Sequence, residues 1–214
     1  MNKHIKRGCI LVALGLCMVL AGTGMYMMFQ KQDELAGQNA NALLQQFEAN
    51  RHFFMEAPEL PGTTLPPENP PDGTVTPEET QPPEMPEMIY SGYSIIGILR
   101  IPALNIELPV LKDWSYDLLN VAPCRYSGSL EEGNLIVMGH NYVSHFTPLH
   151  YIELGTAVEF EDAWGTVHRF VVEARETLHK TRGEDLPSEY PLSLFTCTAG
   201  GQSRLVIRCS QSSQ

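Results

Sequence analysis

Residues 8–29 form a run of 22 positions without a charge, filled mostly by Leu, Val, Met, Ala and Gly. Such a run predicts a helix that is apolar on every side. At 1.5 Å per residue it would reach about 33 Å, enough for a hydrocarbon core of about 30 Å. Past it the pattern changes twice. Residues 30–54 set Leu35, Leu43, Leu44 and Phe47 among Ala and Gln, which predicts a juxtamembrane helix or coil. Residues 55–88 hold ten prolines and eight acids with no basic or aromatic residue. Too little apolar surface exists there to offset chain entropy, so an extended acidic Pro-rich linker is expected, a spacer of about 3 Å per residue.

From residue 89 a period of two appears. Leu104, Ile106, Leu108 and Val110 alternate with Asn105, Glu107 and Pro109, the pattern of a half-buried strand. Further strand-like runs cover residues 97–101, 135–138, 157–160, 167–174, 192–197 and 204–209, with Gly, Pro, Asp and Asn clusters between them. Asp162-Ala163-Trp164-Gly165 reads as a hairpin loop against which Trp164 packs, and residues 114–120 read as a short helix capped by Asp113 or Ser115. Pro102 and Pro109 suggest strand ends or edges. Seven or eight short strands with few helices predict a mainly β domain, a closed or nearly closed barrel over residues 89–214.

Composition adds orientation. The chain of 214 residues has 14 basic and 25 acidic residues, a net charge of −11, which excludes a general nucleic-acid-binding surface. Lys3, Lys6 and Arg7 precede the apolar run, and Asp33 and Glu34 follow it closely. The positive-inside bias puts residues 1–7 in the cytoplasm, residues 8–29 across the cell membrane and everything later outside. Val19-Leu20-Ala21 would suit a signal-peptide cleavage site, but the apolar run continues through Met25, Met27, Met28 and Phe29. An uncleaved single-pass anchor is the better reading.

Cys9 and Cys17 fall in the membrane run, while Cys124, Cys197 and Cys209 lie outside, so pairing within the chain leaves at least one of those three free. Cys124 and Cys209 are compatible with either a disulfide or two buried thiols. Cys197 stands where a strand runs into the turn Thr198-Ala199-Gly200-Gly201, a rigid and accessible place for a nucleophile. A thiol nucleophile needs a proton partner and a donor for the oxyanion. His140 ends the run 134–139 at another strand end. Arg204 opens the strand after Cys197, with Arg208 as its rival on the same face. His140, His145 and His150 recur every five residues, which is neither helical nor finger spacing for zinc, so no metal or cofactor is expected. Glu131, Glu132, Glu159, Glu161 and Asp162 read as solvated loop charge rather than a Ca²⁺ site.

The order of Gly139-His140-Asn141, then Leu194-Phe195-Thr196-Cys197, then Arg204-Leu205-Val206-Ile207-Arg208 resembles the sortases, membrane-anchored cysteine transpeptidases of Gram-positive bacteria. Ile96-Gly97-Ile98-Leu99-Arg100-Ile101-Pro102 resembles the start of their domain. Two departures are Ser193, where the family usually has threonine, and the short Cys-to-Arg loop over residues 198–203. The resemblance implies that Cys197 attacks an LPxTG-like sorting signal of a surface protein and holds the acyl group as a thioester. His140 would exchange protons with the leaving and incoming amines, Arg204 would stabilise the oxyanion, and Thr196 would contact substrate. The acceptor would be a cell-wall precursor or a pilin lysine, and residues 179–190 would recognise the signal.

Two other cysteine enzymes fit less well. An L,D-transpeptidase places Arg almost directly after Cys in a Ser-x-Gly-Cys context, and a papain-like protease places Cys before His. A non-catalytic, membrane-anchored display module keeping the same barrel is the alternative from another class.

Overall fold

The computed structural model describes residues 3–55 and 87–212, with side chains described for residues 11–49 and 87–212. The expected linker lies almost wholly outside the described residues. Its neighbour does not: the expected anchor and the expected juxtamembrane segment form one continuous helix, α1 (Lys3–Met55). Leu11 to Phe29 is exposed on every side, and this stretch belongs to a helix long and apolar enough to cross a membrane. Beyond it one stripe goes inward. Ala36, Ala40, Leu43 and Phe47 are buried at spacings of four, three and four, so they share one helical face, while Leu35 points to solvent.

Nine strands follow: β1 (Met88–Tyr90), β2 (Tyr93–Ile101), β3 (Ile106–Leu111), β4 (Cys124–Ser127), β5 (Leu135–Met138), β6 (Ala157–Asp162), β7 (Val167–His179), β8 (Leu192–Cys197) and β9 (Ser203–Gln211). Their order is β1-β2-β3-β4-β5-β8-β9-β7-β6, and β6 pairs back onto β2. Strands β2 to β9 thereby close an eight-stranded barrel, with β1 added as a short arm on β2. Most pairs are antiparallel; β3 with β4 and β5 with β8 are parallel. Closure leaves little open sheet edge, the main stretch being the part of β3 that β4 does not reach.

The expected strands recur with shifted ends. Leu104 was expected to begin β3, but Pro102 and Leu104 bound a 3-10 turn and Asn105 is left-handed at φ 52°. Pro cannot donate into a ladder, and its ring fits the first turn of a helix. Pro109 lies inside β3, which meets β4 only at Leu111 and Cys124, so the missing N–H falls where that edge is open. Strands β1 and β4 escaped the sequence pattern because three or four residues are too few to show a period. The short helix is α2 (Tyr116–Leu119), and its cap is Ser115, whose Oγ accepts from Leu118 N at 3.1 Å.

The hairpin between β6 and β7 forms as expected, with Asp162 Oδ1 accepting from the N–H groups of Trp164 and Thr166 at 2.9 Å. Trp164 does not pack against it; the side chain is 72% exposed. Glu161 and Asp162 are not solvated charges either. Both are buried; Glu161 pairs with Arg100, and Asp162 faces His168 Nε2 at 3.1 Å. Cys124 and Cys209 are buried free thiols, and burial pushes each up to about 12.

The barrel core joins residues of every long strand, including Ile98, Val110, Val137, Phe160, Val172, Leu194 and Ile207, and it extends into α1 through Ala40, Leu43 and Phe47. Phe47 meets Tyr90 edge to face at 6.1 Å, and Glu48 reaches Arg100 at 3.8 Å. Burying a side chain such as Phe47 is worth about 1.5–3 kcal/mol. The helix is therefore part of the folded unit, and the barrel rests on the anchor's own continuation.

Candidate active site

Strands β5 and β8 run parallel with Met138 opposite Phe195. Two residues beyond those partners come His140, just past the end of β5, and Cys197, the last residue of β8, so the register brings both to the same end of the sheet. Gly139 N–H donates to Phe195 O at 3.1 Å and extends the ladder to the histidine. On the other side of β8, β9 is antiparallel, and Cys197 and Arg204 are Cα partners. His140, Cys197 and Arg204 thus form a row across three adjacent strands.

Alternation decides which face each side chain takes. Leu192 and Leu194 of β8, with Leu205, Ile207 and Cys209 of β9, fill the barrel. Phe195 and Val206 join Ile136, Leu178 and Leu186 in a second cluster on the outer face. Cys197 and Arg204 share that outer face, Cys197 exposed and Arg204 half-buried. Thr196 turns the other way. It is 1% exposed, and its Oγ1 has no hydrogen-bond partner among the described residues. The expected substrate contact of Thr196 finds no support in this geometry, because neighbouring strand residues cannot share a face.

The two arginines separate clearly. Arg208 is 3% exposed. Its Nε donates to Glu176 Oε1 at 2.6 Å, Nη1 to Ser188 Oγ and Ser193 Oγ at 3.0 Å and to Leu186 O, and Nη2 to Asp185 O at 2.8 Å. A guanidinium committed this way ties segment 185–188 onto the sheet. It also explains Ser193: that position needs a hydroxyl acceptor for Arg208. Arg204 stands beside Cys197; its Nη1 donates to Lys180 O at 2.6 Å, and its guanidinium carbon lies 5.9 Å from the Phe195 ring centroid. Segment 179–190 begins as the last residue of β7 and is held by both arginines, with Leu186 buried beneath it.

His140 is half-buried, and burial holds its pKa below the ordinary histidine value, which favours the neutral imidazole. The chain turns sharply after it. A Cβ on Gly139 would lie 2.6 Å from the Phe146 ring, so only glycine lets the buried Phe146 side chain close against the strand end. Phe146 N–H donates to His140 O at 3.2 Å, and the Tyr142 ring lies 4.8 Å from the His140 ring. His140 and Cys197 line one cleft of about 560 Å³ together with Asn141, Tyr142, Val143 and, on the opposite wall, Tyr26, Phe29, Gln30 and Asp33 of α1. Sequence reasoning missed these α1 residues. They lie far from the histidine in the chain, and no local pattern announces the docking of a helix.

Among the described residues no cluster of three or more His, Cys, Asp or Glu side chains is arranged to hold a metal. His145 and His150 do not converge with His140 on any site: His145 is fully buried, and the His150 carbonyl accepts from Arg175.

The sortase domain model matches residues 99–212. Solved structures of similar fold include sortase A from Corynebacterium diphtheriae (18% identity, 57% of this chain and 62% of that one, TM-score 0.50). Sortase C1 from Streptococcus suis is similar over 56% of this chain and 74% of that one, at 20% identity and a TM-score of 0.50. For sortase C1 from Streptococcus agalactiae the values are 21% identity, 56% and 68% coverage and a TM-score of 0.51. Comparison with curated proteins found no match. The family match covers more than half of the chain and contains the whole row of His140, Cys197 and Arg204, and the barrel around that row has the fold of solved sortases: the chain belongs to the sortase family.

Proposed function

We propose that this protein is a cysteine transpeptidase that cuts an LPxTG-like sorting signal and transfers the acyl part to an amine, anchoring surface proteins covalently. The observation that supports the reading is an exposed thiol at the end of β8, a guanidinium opposite it on β9 and a half-buried imidazole just past β5 that lines the same cleft as the thiol. The helix α1 would hold this face at the outer side of the cell membrane, with the N-terminus in the cytoplasm.

In the first half-reaction neutral His140 takes the proton of the Cys197 thiol, and the thiolate so formed attacks the threonine carbonyl carbon of the signal. The oxyanion that forms faces the Arg204 guanidinium, a cation that stabilises charge appearing only in the transition state. The C–N bond to glycine then breaks, His140 delivers a proton to the leaving amine, and a thioester remains on Cys197. In the second half the acceptor amine, from a cell-wall precursor or a pilin lysine, attacks the thioester. His140, neutral again, takes its proton, and the C–S bond breaks to return the thiolate. One amide is exchanged for another, so no cofactor enters the balance. Segment 179–190, held along the outer face, is the reading's candidate for contact with the signal.

The test is incubation of the full chain in detergent micelles with a panel of LPxTG-like peptides and a glycine-based amine, read by mass spectrometry. Cleavage after threonine with capture of the amine, absent in Cys197→Ala, is the expected result. The alternative, a non-catalytic display module, predicts no product and no acyl-enzyme across the panel.

A further inference from the structure

Asp33 lies four residues past Phe29, the last residue of the apolar run, and it meets the loop that follows His140. Its Oδ2 accepts from Val143 N–H at 3.1 Å and its Oδ1 from Ser144 N–H at 2.9 Å. The Ser144 hydroxyl lies 2.6 Å from Oδ1 and 3.0 Å from the Asp33 carbonyl, donating to one or the other. One turn later Gly37 makes the approach possible, because a Cβ there would come within 2.9 Å of Ser144 Cβ. Charge-assisted bonds to a carboxylate are among the stronger a loop can make.

The loop itself is a closed unit. Thr147 Oγ1 donates to Asn141 Oδ1 at 2.7 Å, His145 N–H to Tyr142 O at 3.0 Å and Phe146 N–H to His140 O at 3.2 Å. Its outside attachments include Phe146 in the barrel core, Tyr142, whose hydroxyl donates to Asn120 Oδ1 at 2.9 Å, and Asp33 on α1. The same contact sets Tyr26, Phe29 and Gln30 across the cleft from His140 and Cys197.

Resting on the transpeptidase reading, we infer that Asp33 is a positioning residue of the active site: by holding Val143 and Ser144 it fixes the His140 loop beside Cys197 and keeps the anchor helix as the outer wall of the cleft. Proton transfer tolerates little misplacement, and an error of about 1 Å can cost on the order of 100-fold in rate. The head is then fully competent only when joined to its own membrane helix.

The experiment compares wild type, Asp33→Ala, Asp33→Asn and Glu48→Gln as full chains in detergent micelles. Three quantities are read: kcat and KM for amine transfer, the pH dependence of Cys197 alkylation by iodoacetamide, and amide hydrogen exchange at Val143 and Ser144. Glu48 docks the same helix on Arg100 away from the cleft, so Glu48→Gln reports a purely structural role. Asp33→Ala should lower kcat by roughly 10- to 100-fold with KM little changed. It should also displace the alkylation pH profile and speed exchange at both amides, while Asp33→Asn, which keeps one acceptor oxygen, recovers part of each. An unchanged alkylation profile and exchange rate in Asp33→Ala would overturn the inference, as would the same losses in Glu48→Gln. If wild type itself transfers nothing, the transpeptidase reading fails, and the alkylation and exchange data still decide the role of Asp33.

Discussion

Cys197 and Arg204 are Cα partners on β8 and β9, at the end of the ladder where the chain turns through residues 198–203. From that position the Arg204 guanidinium donates to Lys180 O, and Arg208, four residues on, belongs to another network altogether. Substitution therefore separates the two. Arg204→Ala should reduce kcat for transfer by about 100- to 1,000-fold, the usual cost of removing an oxyanion donor. Arg204→Lys should recover little, because an ammonium lacks the planar fork. Thermal melting should move only slightly in both variants, and steady-state kinetics beside a melting curve checks this.

Arg208→Met should behave in the opposite way. It removes a buried guanidinium and leaves Asp185 O, Leu186 O, Ser188 and Ser193 without their donor. Breaking a buried charged network of this kind costs about 3–5 kcal/mol. The expected outcome is a large fall in melting temperature, with activity lost because the folded fraction falls.

Thiol labelling gives a third prediction. Cys197 is exposed, whereas Cys124 and Cys209 are buried and held up at about 12, so both are un-ionised at neutral pH. Iodoacetamide on the native protein at pH 7.5 should modify Cys197 first among these three, and peptide mass mapping would show it. Because Cys124 and Cys209 are unpaired, a reductant should leave the melting temperature unchanged.

Acid sensitivity should trace to His145. The residue is fully buried, and burial lowers its pKa to about 4. The Ala36 carbonyl and the Asp33 carboxylate of α1 oppose that shift, while the neighbouring His140 adds to it, and the Tyr142 ring lies 5.6 Å away. A histidine at an ordinary value near 6.5 in the unfolded chain binds its proton there first, so protonation favours unfolding. Stability is retained above about pH 6.5 and is lost as pH falls towards 4, by about 2 kcal/mol between pH 7 and pH 5. His145→Phe should flatten this dependence in melts recorded at pH 7 and pH 5; an equally steep loss in the variant would assign it elsewhere.

Phe47→Ala tests whether α1 belongs to the folded unit. The ring is fully buried in the barrel's own cluster, so truncation should cost about 3–5 kcal/mol. A head beginning at residue 87 should melt lower than the full chain for the same reason, which differential scanning fluorimetry would register.

Much of the barrel was legible in the sequence because a strand with one buried face shows a period of two, and Ile106, Leu108 and Val110 carry it openly. Pairing was not legible. That Met138 lies opposite Phe195 is a long-range choice made by barrel closure, whereas Cys197 and Arg204 meet across a short turn. The types and order of His140, Cys197 and Arg204 were readable, and the family resemblance favoured Arg204; the strand pattern alone kept Arg208 as a rival on the same face, and packing commits Arg208 to segment 185–188. Thr196 shows the converse limit: motif neighbourhood suggested a substrate contact, and strand alternation turned the side chain inward.

By itself the sequence determined the apolar N-terminal helix and the strand-rich domain, because composition and short periods are local properties of the chain. Only the tertiary structure decided that residues 33–47 dock on the barrel. Docking buries the narrow stripe of Ala36, Ala40, Leu43 and Phe47 and joins Asp33 to Ser144, a contact across 111 positions. Its stability comes from surfaces that exist only after the barrel has closed, so no stretch of sequence could announce it.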